Sequence, residues 1–154
     1  RKQQLIGYVH DETACFFGGV QGNAGLFSNA NDLAKLCQMW LNKGTYGNER
    51  ILSPKTVELF LTEKSSTSRR GLGFDKPDME NPEKSPTAIE ASASTIGHLG
   101  FTGTCFWIDP EQELIYIFLC NRVYPSRTHD ALSQLNIRPE LFSTIYRSIK
   151  NHSK

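Results

Sequence analysis

One histidine lies among glycines in a stretch that otherwise has the composition of a strand. His98 follows Gly97 and precedes Gly100 and Gly103 in the sequence STIGHLGFTGTCFWIDP. Histidine can transfer a proton or bind an anion near neutral pH, whereas glycine weakens a strand because it adds chain entropy and packs no side chain. The pattern therefore predicts either a strand that another molecule approaches closely beside His98, or a bulged and bent strand.

Two other groups of residues have types that could do chemistry. The paired Arg69 and Arg70 could bind a carboxylate or a phosphate, although a solvated surface pair is the favoured interpretation. The four cysteines form no Cys-x-x-Cys pair, which gives a zinc ribbon or a thioredoxin-type site no support. We favour buried free thiols, and disulfide pairing stays open for these residues: Cys15, Cys37, Cys105 and Cys120. No motif indicates a cofactor or a metal.

Composition excludes several classes of partner. The chain has 154 residues and a net charge of +1 with mixed signs, so no basic surface indicates nucleic acid or an anionic membrane. No apolar run approaches the roughly 20 residues that a membrane helix needs. The polar start RKQQLIGYVHDE has neither a methionine nor the apolar core of a signal peptide, so we expect a piece of a longer protein.

The elements that must position these residues can be read from periodicity. Apolar residues at helical spacing predict helices over 31–43, 53–62 and 139–150, with Ser28 or Asn29 as the first N-cap and Gly44 after its last turn. Three antiparallel strands are predicted over 94–100, 103–108 and 114–123, with both faces of the last strand covered. The fold class is α+β.

The chain is predicted to be one partial domain, with residues 1–70 as loop and helices, 71–95 as loop, and 96–154 as sheet and C-terminal helix. The first two helices should form a separate helical layer beside the sheet. Residues 1–27 are predicted to be an ordered glycine-rich loop whose apolar side chains are buried, namely Phe16, Phe17, Val20, Leu26 and Phe27.

Two segments together carry a resemblance to a known family. GNAGLFSNANDLAKLCQMWLNKG, followed some fifty residues on by GHLGFTGTCFWIDPEQELIYIFLCNR, resembles the C-terminal half of serine β-lactamase-like hydrolases. That family includes class C β-lactamases, D-alanyl-D-alanine carboxypeptidases and related esterases. The resemblance covers about residues 7–149 and implies the C-terminal part of a β-lactamase/transpeptidase-like fold, with 31–43 and 53–62 as helices of its helical subdomain.

The resemblance also implies roles for the histidine and its neighbours. In the family, a Lys-Thr-Gly or His-Thr-Gly motif lies on the strand that borders the active site. His98 would take the basic position and Gly100 would keep the wall flat, while the Phe101 N–H would donate to the oxyanion. Leu99 and Thr102 would be substrate-binding residues, and Leu99 departs from the family because it replaces a hydroxyl that binds the substrate carboxylate. His10 and Asp11 would lie near the site mouth, where hydrogen bonds that hold their own loop are the favoured interpretation.

The family's nucleophile motif is absent from the sequence. No serine stands three residues before any lysine, so the chain contains no Ser-x-x-Lys. The single Tyr-x-Asn match, Tyr46 to Asn48, follows the long helix and is interpreted as chance. The chain alone is therefore expected to be inactive, because acyl transfer of this type needs an activated serine.

Two functions stay open at this point. The first is a serine hydrolase acting through an acyl-enzyme on a β-lactam, a cell-wall peptide or an ester, in a periplasmic or cell-envelope parent protein. The second is a non-catalytic wall-binding or scaffold module. Because the strand at 114–123 would have a long unpaired apolar edge, we expect it to pair with the N-terminal remainder, a second copy, or residues 1–12 of this chain.

Overall fold

The computed structural model describes residues 3–62 and 65–152. Its helices are α1 (Glu12–Phe16), α2 (Ala30–Leu41), α3 (Pro54–Thr62), α4 (Ala131–Gln134) and α5 (Ile137–His152). Its strands are β1 (Thr45–Tyr46), β2 (Glu49–Arg50), β3 (Ile96–Leu99), β4 (Cys105–Asp109) and β5 (Leu114–Phe118). A 3₁₀ turn at Pro82–Lys84 interrupts the long connection between α3 and β3.

The main sheet has three antiparallel strands in the order β3-β4-β5, which confirms the predicted topology. Its strands are shorter than predicted. The 100–104 segment is a turn in which the Gly100 N–H donates to Thr104 O at 2.7 Å and the Gly103 N–H donates to Gly100 O at 2.9 Å. Gly103 has φ +110°, which a β-strand cannot accommodate, so β4 begins only at Cys105; Gly100 lies in the turn after β3 and not within the strand. β5 ends at Phe118, and residues 119–123 are not strand.

Helix α5 packs on one face of this sheet, as predicted. The Phe142 ring is stacked on Tyr116 with centroids 4.5 Å apart, and Tyr146 lies against Phe142 at 4.8 Å. Trp107 of β4 belongs to the same buried cluster and is 1% exposed. The helix begins at Ile137, two residues earlier than predicted, and Pro139 lies in its first turn, where a missing N–H costs little.

Helices α2 and α3 cover the opposite face. Cys37 of α2 shares a buried cluster with Ile96 and Ile108 of the sheet, and Phe60 and Leu61 of α3 pack against that cluster. As predicted, these two helices form a layer of their own beside the sheet, and that layer packs its apolar side chains against the sheet face opposite α5. Both faces of β5 are covered, as predicted: Tyr116 packs toward α5 and Ile115 packs toward the α2 side.

The helix end signals acted largely as predicted. Asn29, and not Ser28, caps α2, since its side chain accepts from the Asp32 N–H at 3.0 Å. Gly44 has φ +92° and its N–H donates to Met39 O at 2.8 Å, which closes the helix. On α2, Cys37 and Met39 are buried, whereas Leu36 is 46% exposed.

The N-terminal apolar residues are exposed, and the prediction that they are buried is wrong. Only Ala14 of α1 is buried in this region. No other described element packs over the side chains of Phe16, Phe17, Val20, Leu26 and Phe27, which are 64–100% exposed. Residues 3–11 contain no strand, so they do not pair with β5, and residues 1 and 2 of the proposed pairing segment lie outside the described residues.

A buried carboxylate joins α5 to the turn between β4 and β5. Asp109 accepts from the Tyr146 hydroxyl at 2.5 Å, the Ser92 hydroxyl at 2.6 Å and the Glu111 N–H at 3.0 Å. Burial acts to raise the pKa of Asp109, but these hydrogen bonds outweigh it and hold the pKa below its ordinary value of 3.8. Burial and the Asp109 charge together raise the pKa of Tyr146 well above its usual range. The pair fixes the helix to the end of the sheet.

Candidate functional site

Strand β3 positions His98 on the face that also carries Ile96, and the imidazole is only partly buried. Its Nδ1 lies 2.8 Å from Leu99 O, and its Nε2 lies 2.9 Å from the Arg70 Nη1. A guanidinium can only donate and a carbonyl oxygen can only accept. The ring in this arrangement is therefore neutral, with the proton on Nδ1 and an accepting Nε2.

The segment that carries Arg70 is fastened to the same strand. Asp75 and Gly97 exchange two backbone hydrogen bonds of 2.8 and 3.1 Å. The Asp75 carboxylate is buried and receives Arg69 through Nε at 2.7 Å and Nη2 at 2.9 Å, while the Arg70 Nη2 lies 3.6 Å away. The interpretation of Arg69 and Arg70 as a solvated surface pair is wrong for Arg69, which makes a bidentate bond with a buried acid, whereas the Arg70 side chain stays 52% exposed.

The turn after β3 presents Phe101, whose side chain is 55% exposed. Within residues 3–62 and 65–152, the Phe101 N–H donates to no other group. Arg122 holds the turn through two hydrogen bonds: its Nε donates to Phe101 O at 2.8 Å, and its backbone N–H donates to Thr102 O at 2.9 Å. The Arg122 guanidinium also lies 4.5 Å from the centre of the Phe101 ring. The peptide groups of this turn are thus held in one orientation.

The N-terminal loop reaches this turn. The His10 ring is stacked on Phe101 with centroids 5.7 Å apart and planes inclined by 30°. Asp11 caps α1, because its carboxylate accepts from the Ala14 N–H at 2.7 Å. The favoured interpretation is confirmed for Asp11, whose hydrogen bond holds its own loop.

The glycines around His98 have packing neighbours. An added Cβ at Gly97 would lie 2.1 Å from Phe106 O and 2.5 Å from a ring carbon of Trp107. At Gly100 it would lie 2.4 Å from the Thr104 hydroxyl, a side-chain atom that can rotate away. Close approach therefore explains Gly97, but the approaching groups belong to the neighbouring strand.

The remaining predicted site residues lie in different surroundings. Leu99 packs against the cluster of Trp107 and Phe142, on the α5 side of the sheet. Alternation along a strand places it opposite His98. Thr102 lies partly buried in the turn beside Phe101. Substrate binding by Leu99 and Thr102 stays a prediction.

All four cysteines are free, and the favoured prediction of buried thiols is confirmed for Cys37 and Cys105 but is wrong for Cys15 and Cys120, which are only partly buried. Burial raises the pKa of the Cys37 thiol to about 11 and that of Cys105 to about 12. Such thiols are protonated and unreactive at neutral pH. The described residues contain no group of three or more His, Cys, Asp or Glu side chains placed to hold a metal. In the same part of the chain, no helix has the length and apolar character to span a membrane.

Two cavities in the described part of the chain share Leu132 in their linings. The larger, about 540 Å³, is lined by residues of the 120–137 region, including Arg122, His129 and Leu132. The smaller, about 230 Å³, is lined in part by Leu99 and Arg138. His98 lines neither cavity. The expectation that His98 lines a concave surface, together with its catalytic role and those of Gly100 and Phe101, stays a prediction.

Sequence reasoning missed Arg122 altogether, and it missed the contact between Arg70 and His98. Arg70 is 28 residues from His98, and Arg122 is 21 residues from Phe101. The adjacent arginines Arg69 and Arg70 could be recognised in the sequence as a possible anion-binding pair, but nothing in the sequence indicated that Arg70 contacts His98. The Tyr46-Gly47-Asn48 match forms the turn of the β1–β2 hairpin.

Comparison with known proteins gives three findings. The family model described as Beta-lactamase matches residues 3–138. Proteins named "Putative D-alanyl-D-alanine carboxypeptidase" from Salmonella paratyphi B and Salmonella newport are each 38% identical over 144 residues, which cover 92% of this chain and 32% of theirs. A crystal structure described as a "putative beta-lactamase from Bacteroides dorei" has a TM-score of 0.48 and 18% identity, covering 77% of this chain and 41% of that one. On the family match, this chain belongs to the beta-lactamase family.

Proposed function

We propose that this chain is the C-terminal segment of a serine hydrolase of the β-lactamase and D-alanyl-D-alanine carboxypeptidase type. The proposal is supported by the family match over residues 3–138 and by the carboxypeptidase names of relatives. The chain spans about a third of those relatives, 32% of their length. The nucleophile would come from the remainder of the protein, in a periplasmic or cell-envelope compartment.

The proposed reaction is acyl transfer through an acyl-enzyme. A serine Oγ of the remainder attacks the carbonyl carbon of a β-lactam, cell-wall peptide or ester, and its proton leaves to the general base. The C–N or C–O bond breaks, the amine or alcohol takes that proton, and water then hydrolyses the new ester. The tetrahedral intermediate on this path carries a negative oxygen that needs hydrogen-bond donors.

The observation that carries the proposal is the Phe101 N–H, which has no hydrogen-bond partner among the described residues. It lies in a half-exposed turn that two Arg122 hydrogen bonds hold, immediately after the strand that carries His98. A fixed and unsatisfied donor is what an oxyanion hole requires, and losing one such donor typically costs about 3 kcal/mol of transition-state stabilisation. Gly100 would leave room beside it, and Leu99 and Thr102 would contact the substrate.

The remainder of the protein would also cover surfaces that are now open. The outer edge of β5 has no partner strand among the described residues. Exposed apolar side chains such as Phe16 and Leu26 would be buried by the same contact, with a favourable contribution of about 25 cal/mol per Å². A second copy pairing at 114–123 is the competing occupant.

Covalent labelling tests the proposal. We expect the complete protein to form a denaturation-resistant adduct with a fluorescent β-lactam or an activated ester, and peptide mapping should place that adduct on a serine outside residues 1–154. The 154-residue chain is the matched control and should remain unlabelled. An adduct within this chain, or no adduct with either reagent, would contradict the proposal.

A non-catalytic wall-binding or scaffold module is the second candidate. It is favoured by Leu99, whose side chain packs toward α5 and has no hydroxyl for a substrate carboxylate. This candidate predicts that the complete protein binds sedimented peptidoglycan, forms no adduct, and loses no binding when serines of the remainder are replaced.

A further inference from the structure

Arg70 and His98 form a contact that the family assignment does not explain. The guanidinium donates to the imidazole Nε2 at 2.9 Å, and the opposite ring nitrogen donates to Leu99 O at 2.8 Å. Both nitrogens of the ring are therefore occupied, one as acceptor and one as donor. An imidazolium could not make this arrangement, since both of its nitrogens carry protons.

The guanidinium is held in place independently of His98. Asp75 is 1% exposed, its backbone pairs with Gly97, and its carboxylate lies 3.6 Å from the Arg70 Nη2. Because Gly97 precedes His98, the segment carrying Arg70 and the strand carrying His98 are fixed to each other. A preorganised donor of this kind spends little side-chain entropy on its contact.

The charges in this cluster do not cancel. Asp75 makes its bidentate hydrogen bond with Arg69, so the positive charge of Arg70 has no carboxylate of its own. The Arg70 side chain is 52% exposed. Among the described residues, the Arg70 guanidinium hydrogen-bonds to His98 at 2.9 Å and forms an ion pair with Asp75 at the longer distance of 3.6 Å. A permanent positive charge therefore stands beside β3, next to a neutral histidine.

We propose that Arg70 is a positioning residue for His98: it fixes the imidazole as the neutral Nδ1–H tautomer and itself supplies the positive charge of this wall. The catalytic meaning of this inference rests on the proposed function. In the family motif one basic residue provides both the side chain at this position and its positive charge, whereas here His98 provides the side chain and Arg70 the charge. His98 then cannot act as a proton acceptor through Nε2 while Arg70 is in place. A substrate anion would be met by the guanidinium, whose charge does not change over the pH range of enzyme activity.

Histidine tautomers are directly visible by nitrogen NMR of the chain labelled with ¹⁵N-histidine. The chain has four histidines, and a His98→Asn variant assigns the relevant pair of signals. At neutral pH we expect a protonated Nδ1 and an unprotonated Nε2 for His98. In Arg70→Ala this signature should be lost in favour of the Nε2–H form or an exchanging mixture, and Arg70→Lys should retain it because an ammonium can still donate to Nε2.

Arg50→Ala is the matched control, because Arg50 is an exposed arginine whose side chain, within residues 3–62 and 65–152, donates to the carbonyls of Lys43 and Leu52 and not to His98. It should leave the His98 signals unchanged. If Arg70→Ala does not fold, Arg70→Met keeps the apolar part of the side chain and reports the same loss. An Nε2–H or doubly protonated His98 in the unaltered chain, or an unchanged tautomer without Arg70, would overturn the proposal. The readout needs no catalysis, so its failure is distinguishable from failure of the proposed function.

Discussion

Replacing Gly97 with alanine tests why a glycine precedes His98. The new methyl group would lie 2.1 Å from Phe106 O and 2.5 and 2.7 Å from two ring carbons of Trp107. The oxygen belongs to the backbone of β4, and the Trp107 ring is 1% exposed, so neither neighbour can move without disturbing the sheet. Overpacking a core typically costs about 1–3 kcal/mol, and we expect about 3 kcal/mol here because a backbone atom is involved.

Urea and thermal unfolding of the two chains would measure this cost. For a domain of this size, 1 kcal/mol corresponds to about 2–4 °C, so the midpoint should fall by about 6–12 °C. Gly22→Ala is the matched control, since nothing lies within 4 Å of its added Cβ, and it should change the free energy of unfolding by less than about 0.5 kcal/mol. Gly100→Ala should fall between them, because the Thr104 hydroxyl can rotate away.

The result separates packing from function. If Gly97 serves only the approach of a substrate, Gly97→Ala will leave the free energy of unfolding of the chain unchanged. The same substitution in the complete protein will then lower activity without lowering stability. A change below about 0.5 kcal/mol would refute the packing argument, since it would mean that the two strands separate there without cost.

Two further predictions concern buried polar groups. Tyr146→Phe removes a donor to the buried Asp109, and should lower the free energy of unfolding at neutral pH by about 1.5–3 kcal/mol. Asp109 has a lowered pKa in the folded chain, so its stabilisation is present above the ordinary value of 3.8 and lost as the pH falls through the folded pKa. Denaturant titrations at neutral and acidic pH should therefore show a smaller acid dependence in Tyr146→Phe, and an unchanged one would contradict this. With iodoacetamide at neutral pH, the partly exposed Cys15 and Cys120 should be alkylated before Cys37 and Cys105, and mass mapping would detect the reverse order.

The spacing of apolar residues along the sequence predicted most of the secondary structure of this chain. The helical spacing of apolar residues in α2 and α3 acts within one or two turns, so the sequence alone identified both helices. Strand order followed for the same reason, because a short turn leaves antiparallel pairing as the only arrangement of β4 and β5. Strand lengths were overestimated where Gly103 takes a positive φ that composition does not reveal.

The sequence also indicated the family, because the residues around His98 and the glycine loop before α2 together carry a resemblance that the family match over residues 3–138 confirms. Contacts between distant residues were decided only by the tertiary structure. The partner of Arg70 lies 28 residues away, and that of Phe101 lies 21 residues away, so no periodicity could identify either contact. The prediction of burial was wrong at Phe16 and Leu26 for a related reason. Hydrophobicity indicates that a side chain favours a buried position, but only the arrangement of the other elements decides whether anything packs over it.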